Sequence, residues 1–145
     1  MSIVKLKELH SRLKALHEVG ETLLKNELVE LSPIIEDLNI KQLQHGKLPN
    51  GEYLPNYSST SVKVYHKPAG PIKLYETGAT YRGIQVVVER DGFEIEDTDS
   101  KWGMLVERYG TFTGLTTESW IELRDDYLIA ELRKRTRNYL WHGIQ

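Results

Sequence analysis

Five histidines, a short acidic run and a basic block are the residues with most chemistry to offer. His10 and His17 lie seven residues apart, two turns along one helix face, which is too far for the i, i+4 pair that chelates a metal. His45, His66 and His142 stand singly, and no acidic cluster accompanies them. With no cysteine in the chain, thiolate metal sites and disulfides are excluded. The histidines therefore read as surface residues, and no bound metal is expected.

The acidic run Glu94, Glu96, Asp97 and Asp99 lies within DGFEIEDTD. A calcium loop needs carboxylates at fixed odd positions, a central glycine and a terminal glutamate, and this segment lacks that layout. Two carboxylates can in principle hydrolyse a glycosidic bond, and a hydrolase built on 94–99 is the weakest of three readings because no nucleophile accompanies them. Charged residues on a strand also protect a sheet edge from unwanted pairing, which is the simpler account. There is no nucleophile elbow, phosphate-binding loop or dinucleotide fingerprint, and Gly70, Gly78 and Gly83 are spread over turns. The expectation is a protein that is not an enzyme, with no catalytic, metal-binding or cofactor-binding residue and no cofactor.

The basic block is Arg133, Lys134, Arg135 and Arg137. It closes a predicted helix whose start carries Glu118, Glu122, Asp125 and Asp126, a bias that suits the helix dipole at both ends. The block can also meet an acidic subunit face or DNA. Opposite charge on the same helix favours protein contact, since tracking phosphates wants one sign along the surface. Candidate subunit contacts are thus Arg133, Lys134, Arg135 and Arg137 on one side, with Glu94, Glu96 and Asp97 as their acidic counterparts. Tyr53, Tyr57 and Tyr65 join them, because tyrosine gives contact area at low entropic cost.

These residues must be positioned by elements that the hydrophobic pattern outlines. Leu6, Leu9, Leu13, Leu16, Leu23, Leu24, Leu28 and Leu31 form the apolar stripe of an amphipathic helix over residues 3–31. Gly20 falls on that stripe and predicts a kink or a close backbone contact. Ser32-Pro33 predicts its end, giving an N-terminal helix within 1–33. Ile35, Leu38 and Leu43 suggest a second, short helix over 34–48 that stops near Gly46. Residues 47–72 hold Pro49, Pro55, Pro68 and Pro71 and predict a long extended loop or arm that contacts other subunits rather than its own core. Val62, Val64 and Tyr65 allow a short strand there. Asp91-Gly92 between 84–90 and 93–97 predicts a two-residue β-hairpin of type I′. In that register Ile84, Val86, Val88, Phe93 and Ile95 share a face and Glu89 lies opposite Glu94. Ser100 is placed to cap a short helix through Tyr109, with Trp102, Leu105, Val106 and Tyr109 inward and Gly110 ending it. Thr116 or Thr117 caps the last helix, whose stripe is Trp120, Leu123, Tyr127 and Ala130, widened by Ile121, Leu128 and Leu132. The fold class is α+β: long N- and C-terminal helices packed on a small, mainly antiparallel sheet, with a hairpin at 84–97.

With 145 residues, 39% hydrophobic and 28% charged, the chain suits a single structural domain, 1–145, able to bury a core. Residues 73–145 would hold the hairpin and C-terminal helices. A net charge of −2 gives no global pull toward nucleic acid or anionic lipid. No apolar run approaches the roughly 18–20 residues of a membrane span, and the N-terminal sequence lacks a signal peptide's apolar stretch. No membrane partner is expected, and the chain reads as cytosolic where it is made.

Between residues 34 and 118 the order of short motifs resembles the small virion morphogenesis and tail-completion proteins of tailed phages, including those of Bacteroidetes phages and prophages. The carriers are Leu38-Asn39 with Gln42-Leu43, Tyr57-Ser58 with Thr60, Leu74 with Thr77-Gly78, the hairpin, Tyr109-Gly110, and Gly114-Leu115-Thr116. The proline-rich loop departs from the family pattern, as does Glu76, where aspartate is more usual. The resemblance implies a structural protein of the virion, made in the bacterial host cytoplasm. It would be a subunit of a homo-oligomeric ring in the neck, head-tail connector or tail-completion complex. Its partners would be itself and portal, adaptor or tail proteins, with DNA contact in the channel also open. The alternative, from the residues alone, is a small nucleic-acid-binding or regulatory protein that uses the basic block at 133–137.

Overall fold

The computed structural model describes residues 3–90 and 92–143, and side chains from Leu6 onward. Its largest element is one uninterrupted helix, α1 (Ile3–Gln44). The expected break at Ser32-Pro33 does not occur. Pro33 removes one backbone donor, but its side chain lies on the exposed face, where a carbonyl left without its partner can be hydrated. The Ser32 hydroxyl donates to the Leu28 carbonyl at 2.9 Å in the same turn. The two helices expected at 1–33 and 34–48 are therefore a single rod about 63 Å long. Gly20 has no neighbouring group close enough to touch an added Cβ, so the close contact expected of it is not there.

The rest of the chain is arranged along α1. Residues 46–57 and 68–72 fold back at its C-terminal end around the short helix α2 (Ser59–Val64). Next come α3 (Ala79–Gly83), the hairpin β1 (Ile84–Val88) and β2 (Phe93–Asp97), and α4 (Trp102–Tyr109). The C-terminal rod consists of α5 (Thr117–Glu122), a π-helical segment Leu123–Leu128, and α6 (Ile129–His142). It runs antiparallel to α1. Thr116 N–H donates to Gln42 Oε1 near one end, and the Arg12 guanidinium donates to the Leu140 carbonyl near the other.

The two strands pair Ile84 with Asp97, Val86 with Ile95 and Val88 with Phe93. The expected apolar face holds: Val86, Val88, Phe93 and Ile95 pack on the core around Leu28, Leu31, Ile35 and Leu38. The register differs by two residues from the two-residue turn, so Glu94 lies across from Val87 and not Glu89. A shift of two leaves every side chain on its original face, because strand side chains alternate with period two. Glu89 N–H instead closes the loop onto the Gly92 carbonyl. Asp91, on which the type I′ assignment turns, lies outside the described residues.

The π-helical segment sets which side of the C-terminal rod is buried. Ile129 N–H donates to the Arg124 carbonyl, five residues back. Five residues of an α-helix turn side chains about 140° apart, whereas the wider π turn brings Leu123 and Leu128 to the same face. Both are buried against α1, while Trp120 and Ile121, expected on the inward stripe, stay 41% and 42% exposed. Ala130 is exposed as well. Each fully buried leucine or isoleucine here contributes on the order of 1.5–3 kcal/mol.

A second core gathers Leu43, Leu54, Leu74, Ile84 and Phe112. Leu54 belongs to the proline-rich segment, so that segment is docked through its base on its own chain and is not wholly an arm. Leu54 N–H donates to the Gly46 carbonyl and Ile72 N–H to Pro55. Gly46 sits at φ 70°, with Pro71 against the position a Cβ would take, so a larger residue there would push the loop off the helix end. Only the tip projects. It is helical, not a strand, capped by Ser58 Oγ, which accepts from Ser61 N–H, and it buries no residue.

Two buried amides join the halves of the fold. Asn39 is fully buried; its Nδ2 donates to the Phe112 carbonyl at 3.1 Å and its Oδ1 accepts from Gly114 N–H at 3.2 Å. One turn on, Gln42 Nε2 donates to the Gly114 carbonyl at 2.9 Å and Oε1 accepts from Thr116 N–H at 2.8 Å. Together they satisfy a loop that lacks a strand partner and place Thr116, whose hydroxyl accepts from Ser119 N–H, as the N-cap of α5. Replacing Asn39 with leucine strands a buried carbonyl and N–H, and should destabilise the protein by on the order of 2–4 kcal/mol. The shift in urea midpoint measures this; an unchanged midpoint would contradict the clamp.

Candidate interaction surfaces

The residues singled out in the sequence do not converge. They fall on three surfaces, and two of the residues, Asp97 and Arg135, are turned inward. Glu94 and Glu96 point to solvent from β2. Asp97, in the same strand, is 9% exposed. Gly83 lies so close to it that a Cβ would strike Asp97 Oδ1. Asp97 Oδ1 accepts from Asp99 N–H at 2.8 Å, holding the turn that leads to α4, while Oδ2 has no partner. Asp97 is thus a turn-forming residue and not an exposed subunit contact.

At the C-terminal end, Arg133, Lys134 and Arg137 are exposed. Lys134 lies 3.8 Å from Glu131 on the same helix. Arg135 is turned against α1, where its guanidinium pairs with Glu27 and, at 2.8 Å, with Glu30. Glu27 is 2% exposed, a buried carboxylate on the face of α1 that meets α6. Both partners hold the Arg135 guanidinium in its charged form, Glu30 by the larger hydrogen-bond effect and Glu27 next. The expected role of Arg135 as a free contact for another molecule is therefore replaced by an intrachain one. Glu27 escaped the sequence reading because a glutamate on an amphipathic helix looks solvated. Its signal was its place on the Leu6–Leu9–Leu13–Leu16 face, continued through Leu23 by the same steps of three and four.

The tyrosines divide likewise. Tyr53 is 60% exposed, with Lys47 Nζ 5.6 Å from its ring centroid, and Tyr65 is 69% exposed at the end of α2. Tyr57 is half-buried, and its hydroxyl accepts from Lys73 N–H at 3.3 Å. On the next peptide unit, the Tyr81 hydroxyl donates to the Lys73 carbonyl at 2.5 Å. Burial is the main cause that pushes the Tyr81 phenol up to about 12. The two hydroxyls grip the backbone beside Leu74, a non-glycine residue at φ 51°. Such a left-handed conformation costs of order 1–3 kcal/mol and persists where its surroundings over-determine it.

Tyr57 and Leu74 line a cleft of about 390 Å³ shared with Tyr75, Thr80, Leu105 and Tyr109. Three of its charged side chains, Glu76, Asp99 and Lys101, are met within the chain. Lys101 Nζ bridges to Glu76 at 2.9 Å, and Thr80 Oγ1 donates to Asp99 Oδ2 at 2.7 Å. The Thr80 hydroxyl, and then Lys101 N–H, hold the Asp99 carboxyl below its usual range. Asp99, and not the expected Ser100, accepts from Lys101 N–H at the start of α4. Trp102, expected inward, is 40% exposed. Among the described residues, no three histidine or carboxylate side chains come together as a metal site would need, and no helix is long and apolar enough to cross a membrane.

Two outcomes follow from these placements. Arg135→Met leaves Glu27 buried without its cation, which should cost about 3 kcal/mol. Adding Glu27→Leu should recover most of that loss, measured as a double-mutant cycle in urea; additive losses would rule out the pair. Burial is the largest cause raising the Asp97 carboxyl above 3.8; the Asp99 N–H opposes it and the Asp99 carboxylate adds to it. A folded-state pKa above the unfolded one means the native state binds the proton more tightly. Ionised Asp97 thus opposes folding above its raised pKa, and the penalty fades as pH falls toward the ordinary value. Asp97→Asn should be at least as stable as the parent at pH 7, with the advantage vanishing near pH 4. A variant clearly weaker at pH 7 would refute this account.

No protein-family model, curated protein or solved structure matches the chain.

Proposed function

We propose that this chain is a structural subunit of a tailed-phage virion, acting in a ring at the neck, head-tail connector or tail-completion complex. The observation that carries the reading is the amide clamp. Asn39 and Gln42 belong to one motif of the resemblance and Gly114 and Thr116 to another, far apart in sequence. They are bonded to each other at the joint of the fold. That two motifs of the resemblance meet physically supports reading them as parts of one architecture. The exposed Glu94, Glu96, Arg133, Lys134 and Arg137, together with Tyr53 at the docked base of the proline-rich segment and Tyr65 at its tip, remain available to neighbouring subunits or other virion proteins.

The nucleic-acid alternative loses one of its four cations to Glu27 and Glu30. The native mass of the purified protein, combined with electron microscopy, tests the proposal. Closed rings of this chain, alone or on addition of tail-lysate components, are expected. A protein that stays monomeric in both conditions and binds duplex DNA at physiological salt would favour the alternative instead.

A further inference from the structure

The helix α1 outruns its cover. The last described bond between α6 and α1 joins Leu140 to Arg12, so residues 3–11 extend about 14 Å beyond that point. The outer part of the stripe is poorly buried: Leu6 is 51% and Leu13 50% exposed, with Leu9 and Leu16 between solvent and core. Steps of three and four between these leucines are those of a helix seam built for a partner. The polar positions around them are basic. Residues 3–14 carry four cations, Lys5, Lys7, Arg12 and Lys14, and a single carboxylate, Glu8. Arg12 donates to the Leu140 carbonyl of its own chain, while Lys7 and Lys14 are exposed.

The complementary surface lies on the C-terminal rod. Ile121 and Trp120 are exposed by 42% and 41%, pushed outward by the π-helical segment that follows them. Glu118 and Asp125 lie three and four residues from Ile121 and Glu122 adjoins it; all are exposed, and Asp125 is paired with Arg124 at 2.7 Å. Trp120 rests on Phe93 at the hairpin, with ring centroids 6.1 Å apart, so the patch is firmly backed.

We infer that the leucine-striped, basic start of α1 in one copy docks on the acidic Trp120–Ile121 face of the next copy. The contact is heterologous: each copy offers one of each surface, which is what propagates a ring. Charge selects this occupant. Two α1 starts packed on each other would set like charges side by side, which costs affinity. A start against Glu118, Glu122 and Asp125 sets opposite charges together, while Leu6 and Leu13 cover Ile121 and Trp120. The inference rests on the proposed self-assembly and specifies its interface.

The test uses three forms of the full chain, compared with the parent by sedimentation velocity. One carries Lys7→Glu with Lys14→Glu, the second Glu122→Lys with Asp125→Lys, and the third all four changes. All four positions are exposed, and circular dichroism checks that the forms remain folded. Each double variant alone should self-associate roughly tenfold more weakly or worse. Mixed in equal amounts, the two should recover assembly, because each then offers the other an opposite charge, and the fourfold variant should assemble by itself. Loss in the double variants without recovery in the mixture or the fourfold variant would overturn the interface. So would unchanged assembly in all three, while leaving a ring built by other contacts. A monomeric parent at high concentration and low salt would overturn both the interface and the ring. If the parent stays monomeric and binds anionic vesicles or duplex DNA, with binding lost on Lys7→Glu and Lys14→Glu, the basic start of α1 serves that surface instead.

Discussion

One helix has to be covered along a side that runs for most of its 42 residues, and every other element is placed by that need. A helix this long is not held by its own hydrogen bonds; it is held by burial of its apolar stripe. The middle of α1 receives the hairpin and the π-helical segment, which bury Leu28, Leu31, Ile35 and Leu38. Its C-terminal end receives the proline-rich segment, α4 and the 112–116 loop around Leu43. A two-stranded hairpin is marginal alone. Here its inner face is covered by α1, and Val86 N–H, at the open edge of β1, is met by Glu36 Oε1 at 3.1 Å.

Buried polar groups then fix how the covering elements sit. Apolar contacts alone would let the C-terminal rod slide along α1, because leucines are interchangeable as neighbours. The Asn39 and Gln42 amides remove that freedom at one end by bonding specific backbone groups of residues 112–116. The Glu27–Arg135–Glu30 cluster removes it further along. Such a cluster is a weak source of net stability, since desolvation offsets much of its attraction. An unpaired Glu27 is nonetheless costly, so the antiparallel register with Arg135 opposite is favoured over its neighbours. The π-helical segment fits the same picture: it reconciles a sequence with leucines five apart to a partner that needs them on one face.

That reconciliation has consequences at the surface. Turning Leu123 and Leu128 inward turns Trp120 and Ile121 outward, among carboxylates. At the far end, α1 continues past the last bond from α6 with its leucines half covered and four cations against one carboxylate, Glu8, across residues 3–14. The molecule thereby holds two apolar surfaces of opposite charge, at different heights along one axis. The placing of these two surfaces is a property of the packing, since each is unremarkable as an isolated stretch of sequence.

Local pattern determined the parts of this protein whose physics is local. The helical period of the leucines, the inward face of the hairpin, Gly110 after α4 and Thr116 before α5 all follow from residues within a few positions of one another. The face of the hairpin survived even an error of register, because side-chain alternation is blind to a shift of two. Tertiary structure decided what depended on distant partners. Pro33 reads as a stop, yet the helix continues because solvent accepts the orphaned carbonyl and the buried side gains more by running on. Leu54 draws an apparent arm into the core. Asp97 and Arg135 read as surface charges, and become internal because Gly83 and Glu27 stand where they do. The identity of a side chain tells what it can bond; only the fold tells whether water or a particular neighbour is there to bond with it.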